Sequence, residues 1–125
     1  MAAKILVVED TLDTRDLLHL HLKLEGFDVI VASDGREGFY MATAEKPHLI
    51  VTDINMPHMD GLQLIRQLRS HAEMKDVPII ALTAYGVEIR DDAIKAGANR
   101  AFDKPVHMEW LIEGINELLE EHNPG

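Results

Sequence analysis

Three carboxylates, one hydroxyl and one ammonium carry the chemistry open to this sequence. Glu9 and Asp10 follow the apolar run Ile5–Val8, Asp53 follows Leu49–Thr52, Thr83 follows Pro78–Leu82, and Lys104 follows Ala101–Asp103. From Asp10 the successive steps to Asp53, Thr83 and Lys104 are 43, 30 and 21 residues, so only a fold that lays those runs side by side could assemble them. Each residue alone reads as the polar close of a strand, because Asp and Thr are common turn and cap residues. Together they imply more. Crowded carboxylates repel and raise one another's proton affinity. A hard divalent cation relieves that repulsion, and an all-oxygen cluster favours magnesium over zinc or copper. With a lysine and a threonine beside it, such a cation makes a nest for a phosphoryl group.

The elements that must position these residues alternate along the chain. Short β-prone runs at Ile5–Val8, Val29–Ala32, Leu49–Thr52, Pro78–Leu82 and Ala101–Asp103 are separated by amphipathic stretches. Near-continuous apolar strands suit a sheet covered on both faces. The first helix is expected over 13–25, closed by Gly26 in a left-handed cap. The second follows Asp34-Gly35 and stops before Lys46-Pro47, since a residue preceding proline avoids the helical region. The third follows Asp60-Gly61 with Leu62, Ile65 and Leu68 on one stripe, and the fourth covers 88–96 up to Gly97. The fifth starts near His107 and aligns Leu111, Ile115, Leu118 and Leu119. Five βα units predict an α/β fold: a doubly wound parallel sheet with right-handed crossovers and helices on both faces. Ligands of such sheets bind beyond the carboxyl ends of the strands, where the polar residues above stand.

Composition narrows the function. The chain has 125 residues with 22 acidic and 12 basic side chains, a net charge of −10, seven histidines and no cysteine. One domain spanning residues 1–125 is expected. Disulfides, thiolate metal sites and cysteine nucleophiles are excluded. The negative charge argues against nucleic-acid and anionic-membrane partners. The apolar run after Met-Ala-Ala-Lys is too short for a signal peptide or a membrane span, so a cytoplasmic location is expected.

Over essentially its whole length the sequence resembles the receiver domains of two-component response regulators. The matching stretches are Ile5-Leu-Val-Val-Glu-Asp10, Asp34-Gly35, Leu49-Ile-Val-Thr-Asp-Ile-Asn-Met-Pro57, Met59-Asp-Gly61, Pro78-Ile-Ile-Ala-Leu-Thr-Ala84, Ala96-Gly-Ala98 and Lys104-Pro105. The Asp53–Pro57 block followed by Met59-Asp60-Gly61 is the most specific of these. The resemblance implies a flavodoxin-like five-stranded sheet in the order 2-1-3-4-5. It implies that Asp53 is the phosphoacceptor. Asp10, Asp53 and the backbone carbonyl of Asn55 would hold Mg²⁺, with Glu9 acting through water. Lys104, Thr83 and the backbone N–H of Ala84 would bind the phosphoryl oxygens, while Asn55 and Tyr85 would tune hydrolysis.

The same resemblance implies a histidine kinase or phosphotransfer protein as donor and a downstream protein partner at the face formed by helix four, strand five and helix five. Such a protein is a switch rather than an enzyme, a monomer or a phosphorylation-linked homodimer, here without an output domain after the last helix. Glu9 stands where the family more often has Asp. Ala101 occupies the position, three before the lysine, where the family often has an aromatic. Strand alternation sends Phe102 to the opposite face, leaving Tyr85 as either a substitute or an ordinary loop residue. Trp110 lies about 140° from the apolar stripe of helix five at about 100° per residue. It is expected to be partly exposed near the partner face, or flat against its own helix. Leu20 faces outward on helix one as a docking candidate, and His21 falls near the apolar stripe. The histidines show no ligand spacing. An aspartyl-phosphate phosphatase usually carries a second acid where this chain has Asn55, and a flavin phosphate would be repelled by Glu9-Asp10.

Overall fold

A computed structural model describes residues 2–56, 59–84 and 86–122. Among the described residues five strands alternate with five helices: β1 (Lys4–Val8), α1 (Leu12–Leu24), β2 (Asp28–Ala32), α2 (Gly35–Glu45), β3 (Leu49–Asp53), α3 (Gly61–Ser70), β4 (Ile79–Thr83), α4 (Val87–Ala96), β5 (Arg100–Asp103) and α5 (Met108–His122). The strands form one parallel sheet in the order β2-β1-β3-β4-β5. Fold class and strand order are as the sequence implies, and the expected element ends fall within about a residue of those observed.

Strand alternation builds a core on each face of the sheet. Leu6, Val8, Ile50, Ile79 and Ala81 pack with α2, α3 and α4, whereas Ile5, Val7, Val51, Ile80 and Leu82 pack with α1 and α5. The central strands β3 and β4 are buried at every residue. β5 is an edge strand, half-buried over Arg100–Phe102.

The helix ends follow local chemistry. Asp34 accepts from the Glu37 N–H at 2.8 Å. Asp60 and Gln63 form a reciprocal capping box at 2.9 and 3.1 Å. Gly26 turns the chain out of α1 at φ 97°. Two details differ from expectation. Lys46 ends α2 in the left-handed region, at φ 48° and ψ 64°, rather than in the extended conformation favoured before proline. On α3 the fully buried leucines are Leu64 and Leu68, with Leu62 only half-buried at the margin of the core.

Arg69 ties together the connections that precede β4 and β5. Its Nε donates to the Gly97 carbonyl at 2.9 Å and its Nη1 to the carbonyls of Val77 and Lys75 at 2.7 and 3.1 Å. Its Nη2 donates to Asn99 Oδ1 at 3.0 Å, an oxygen that also accepts from the Ile79 N–H. Removing the guanidinium strands several half-buried acceptors. Arg69→Ala is therefore expected to destabilise the fold by about 2–3 kcal/mol, read as a lower urea midpoint. Arg69→Lys should recover only part of it, because an ammonium cannot reproduce the planar fork. A midpoint unchanged in Arg69→Ala would contradict this account.

Candidate functional site

The parallel ladders pair Val8 with Thr52, Asp53 with Leu82 and Thr83 with Asp103, so four strands deliver their last polar residues to one edge. Glu9, Asp53 and Thr83 are buried there, Asp10 is exposed and Lys104 half-buried. The five residues named from the sequence come together.

Lys104 is the hub. Its Nζ stands 2.6 Å from Glu9 Oε1 and 3.3 Å from Asp53 Oδ1. Glu9 Oε2 accepts from the Thr11 backbone N–H at 3.1 Å, and the Glu9 carbonyl accepts from Arg15 at 3.1 Å. The glutamate side chain thus reaches across to the lysine, and both of its carboxylate oxygens are engaged within the protein. Carboxylate oxygens of Glu9, Asp10 and Asp53 lie within 4.8 Å of one another. That donor set is hard, oxygen-only and in part solvent-facing through Asp10, so it is compatible with Mg²⁺.

Burial dominates the electrostatics. It pushes the Asp53 carboxyl above its ordinary value, against the pull of Lys104 and the Asn55 backbone N–H, with nearby Asp10 adding to the rise. Burial also raises Glu9, opposed by Lys104 and the Thr11 N–H. For Lys104, burial alone would lower the value. The hydrogen bond to Glu9 and the charges of Asp53 and Glu9 outweigh it, and the ammonium is stabilised. A desolvated carboxylate beside a second acid and one ammonium is an incompletely neutralised site.

Two glycines hold the backbone around Asp53. A Cβ on Gly61 would stand 2.3 Å from the Asp53 carbonyl oxygen, and one on Gly35 would stand 2.1 Å from the Met59 carbonyl oxygen. The Gly61 N–H donates to the Ile54 carbonyl at 2.7 Å. From the sequence both glycines read as the residues after helix caps and as members of the matching stretches. Their close backbone approach has no local sequence signal beyond the glycine itself.

Of the remaining candidates, Asn55 and Ala84 are exposed beside Asp53 and Thr83, and Tyr85 lies outside the described residues. Ala101 and Phe102 point to opposite faces of the sheet as alternation requires, Phe102 packing over Gly114. Trp110 is 59% exposed and stacks on His107, with ring centroids 4.4 Å apart; it is both exposed and laid against its own helix start. Leu20 is exposed together with Leu17 and Leu24, and His21 is half-buried. The ion pair between Arg90 and Asp103, which ties α4 to the end of β5, was not among the sequence expectations. No helix among the described residues is long and apolar enough to cross a membrane.

Known proteins resemble this chain in sequence and fold. The family described as "Response regulator receiver domain" matches residues 5–116. "Response regulator MprA" of Mycolicibacterium vanbaalenii is 38% identical over 125 residues, covering 99% of this chain and 53% of that protein. The chain thus spans about half the length of such curated relatives. A 14.6 kDa protein of Leptolyngbya boryana is 45% identical over 114 residues, covering 90% of this chain and 87% of that protein. Among solved structures, the receiver domain of the Pseudomonas aeruginosa sensor histidine kinase PA1611 superposes with a TM-score of 0.86 at 27% identity, covering 100% of both chains. That structure holds a magnesium ion in its active site cleft.

Proposed function

The chain belongs to the response regulator receiver domain family of two-component signalling, and on that premise we propose that it is a phosphorylation-activated switch with Asp53 as phosphoacceptor. The observation that carries this reading is the Lys104 ammonium between Glu9 and Asp53, with the Asp10 carboxylate close by. It supplies a carboxylate nucleophile and a cation to meet the phosphoryl oxygens.

An oxygen of Asp53 attacks phosphorus. The P–N bond of a phosphohistidine, or the P–O bond of acetyl phosphate, breaks with its electron pair leaving on imidazole or acetate. No general base is needed for an ionised carboxylate. Lys104 meets the negative charge on the phosphoryl oxygens and keeps the group in line. Mg²⁺, held by Asp10, Asp53 and the Asn55 carbonyl with Glu9 at one remove through water, would supply the remaining neutralisation.

The new dianion sits beside Thr83, whose hydroxyl and the Ala84 N–H donate to it. That draws the loop after β4 inward and shifts the population of the α4–β5–α5 face, where Ala101 and Trp110 lie, toward a partner-binding form. Asn55 and Tyr85 control the access of water that resets the switch. A histidine kinase or phosphotransfer protein is the donor, and the cytoplasm is the compartment in which such a donor works. Residues 1–125 act as one switching unit.

Intact-mass measurement with acetyl phosphate tests this reading. One phosphoryl group should be taken up with Mg²⁺ and none after chelation with EDTA. Equal uptake without the metal, or none with it, would defeat the proposal.

A further inference from the structure

Arg15 puts a charge where α1 calls for an apolar residue. The buried residues of that helix are Leu18 and Leu22, and stepping back along the same face from either reaches position 15. Arg15 is half-buried there. Among the described residues it forms no ion pair, although Asp10, Asp13 and Asp16 are close by in the chain. Its Nη1 donates instead to an uncharged acceptor, the backbone carbonyl of Glu9, at 3.1 Å. A guanidinium spent on one carbonyl beside so many carboxylates points to that carbonyl as the thing being held.

The Glu9 carbonyl stands just past the β1 ladders, which end at Val8 on both sides. The turn from β1 into α1 consists of Glu9, Asp10 and Thr11 alone. Thr11, at the N-cap of α1, makes no side-chain cap bond. Two other bonds hold the turn: Glu9 Oε2 accepts from the Thr11 N–H at 3.1 Å, and Arg15 grips the Glu9 carbonyl. Asp10 lies between these anchors, exposed, with a carboxylate oxygen within 4.8 Å of those of Glu9 and Asp53. The Glu9 carbonyl belongs to the planar peptide unit that leads into the Asp10 Cα. Fixing that plane fixes the direction from which the Asp10 side chain departs. We propose that Arg15 is a positioning residue for Asp10, keeping this exposed carboxylate aimed at the divalent-cation site it shares with Asp53. The proposal rests on the switch reading, since the cation is the Mg²⁺ of that reaction. Charge alone would give the opposite sign. A guanidinium near a cation site repels the cation, so its removal would tighten metal binding, whereas loss of an outer partner that orients a ligand weakens it.

Metal binding is read directly, without a phosphoryl donor, by titrating Mn²⁺ and counting the free ion by electron paramagnetic resonance, with Mg²⁺ as competitor. Arg15→Met and Arg15→Ala should bind Mn²⁺ at least about fivefold more weakly than the wild type, at temperatures where thermal melts show each protein folded. Arg15→Lys, which keeps a donor on a shorter stem, should lie between. Asp10→Asn should weaken binding too, and adding Arg15→Met to it should weaken it little further, because Arg15 acts through Asp10. In phosphoryl uptake from acetyl phosphate, Arg15→Met should need at least about fivefold more Mg²⁺ for its half-maximal rate, yet come within about twofold of the wild-type rate once metal saturates. Unchanged or tighter Mn²⁺ binding in Arg15→Met, additive losses in the double variant, or a rate that stays low at saturating metal would each overturn the proposal. A wild type that takes up both metal and phosphoryl group, beside Arg15 variants that bind metal equally well, sinks this inference alone. A wild type that takes up neither sinks the switch reading with it.

Discussion

Asp53→Asn is expected to take up no phosphoryl group from acetyl phosphate and Mg²⁺ under conditions that load the wild type. An amide is a poor nucleophile at phosphorus, and no other carboxylate stands in its place. Glu9 is occupied by Lys104 and the Thr11 N–H, and Asp10 lies on the exposed side of the cluster. The same substitution should leave the metal-free protein at least as thermally stable as the wild type. Burial holds the Asp53 carboxyl above its ordinary value and Asp10 adds repulsion, so a neutral side chain removes an unfavourable charge. Lys104 keeps Glu9 as its partner. Mg²⁺ is expected to stabilise the wild type and to stabilise the variant less, because one carboxylate is lost from the cluster. Functional groups held at some expense to the fold behave in this way. A phosphorylated Asp53→Asn protein, or one that melts well below the wild type without metal, would contradict the assignment.

Gly61→Ala should rank, with Gly35→Ala, among the most disruptive single-methyl changes in the molecule. The added carbon would stand 2.3 Å from the Asp53 carbonyl oxygen and 2.6 Å from the Ile54 Cα. Both are backbone atoms at the end of a fully buried central strand, and neither can turn aside as a flexible side chain would. Overpacking in a core usually destabilises by about 1–3 kcal/mol, and a backbone-to-backbone conflict belongs at or beyond the upper end. Where the protein still folds, α3 and the segment after Asp53 must separate, breaking the bond from the Gly61 N–H to the Ile54 carbonyl. Phosphoryl uptake should then fall along with the melting temperature. Gly26→Ala makes a useful contrast, since no atom lies within 4 Å of the added carbon and only the strained φ of 97° is at stake. Gly61→Ala with wild-type stability and uptake would mean that this backbone approach is not tightly held.

What the sequence made legible, it did through periodicity and strand ends. Continuous apolar runs at Ile5–Val8 and Leu49–Thr52 required a covered sheet, and the polar residues closing them marked the edge where a site could form. Two-residue alternation separated Ala101 from Phe102. The contacts that escaped depend on tertiary distances no local pattern encodes. Glu9 and Lys104 are 95 residues apart, and their direct pairing follows only once β1 and β5 are laid in the same sheet. Arg69 reads locally as an ordinary charged residue near a helix end, yet it joins two loops. Lys46 takes a left-handed turn although the extended conformation is the one favoured before proline. Gly35 and Gly61 were visible as glycines, but the oxygen atoms that exclude a side chain there come from other segments.

The tether between Lys104 and Glu9 has a kinetic meaning as well as an electrostatic one. A free lysine surrenders about 2 kcal/mol of rotamer entropy when its ammonium is fixed. Here much of that loss is already incurred as the chain folds, since the amine is held 2.6 Å from Glu9 and 3.3 Å from Asp53, the proposed phosphoacceptor. On the proposed switch reading, an arriving phosphoryl group would find its counter-ion already in place, without having to recruit it from a mobile chain in solvent.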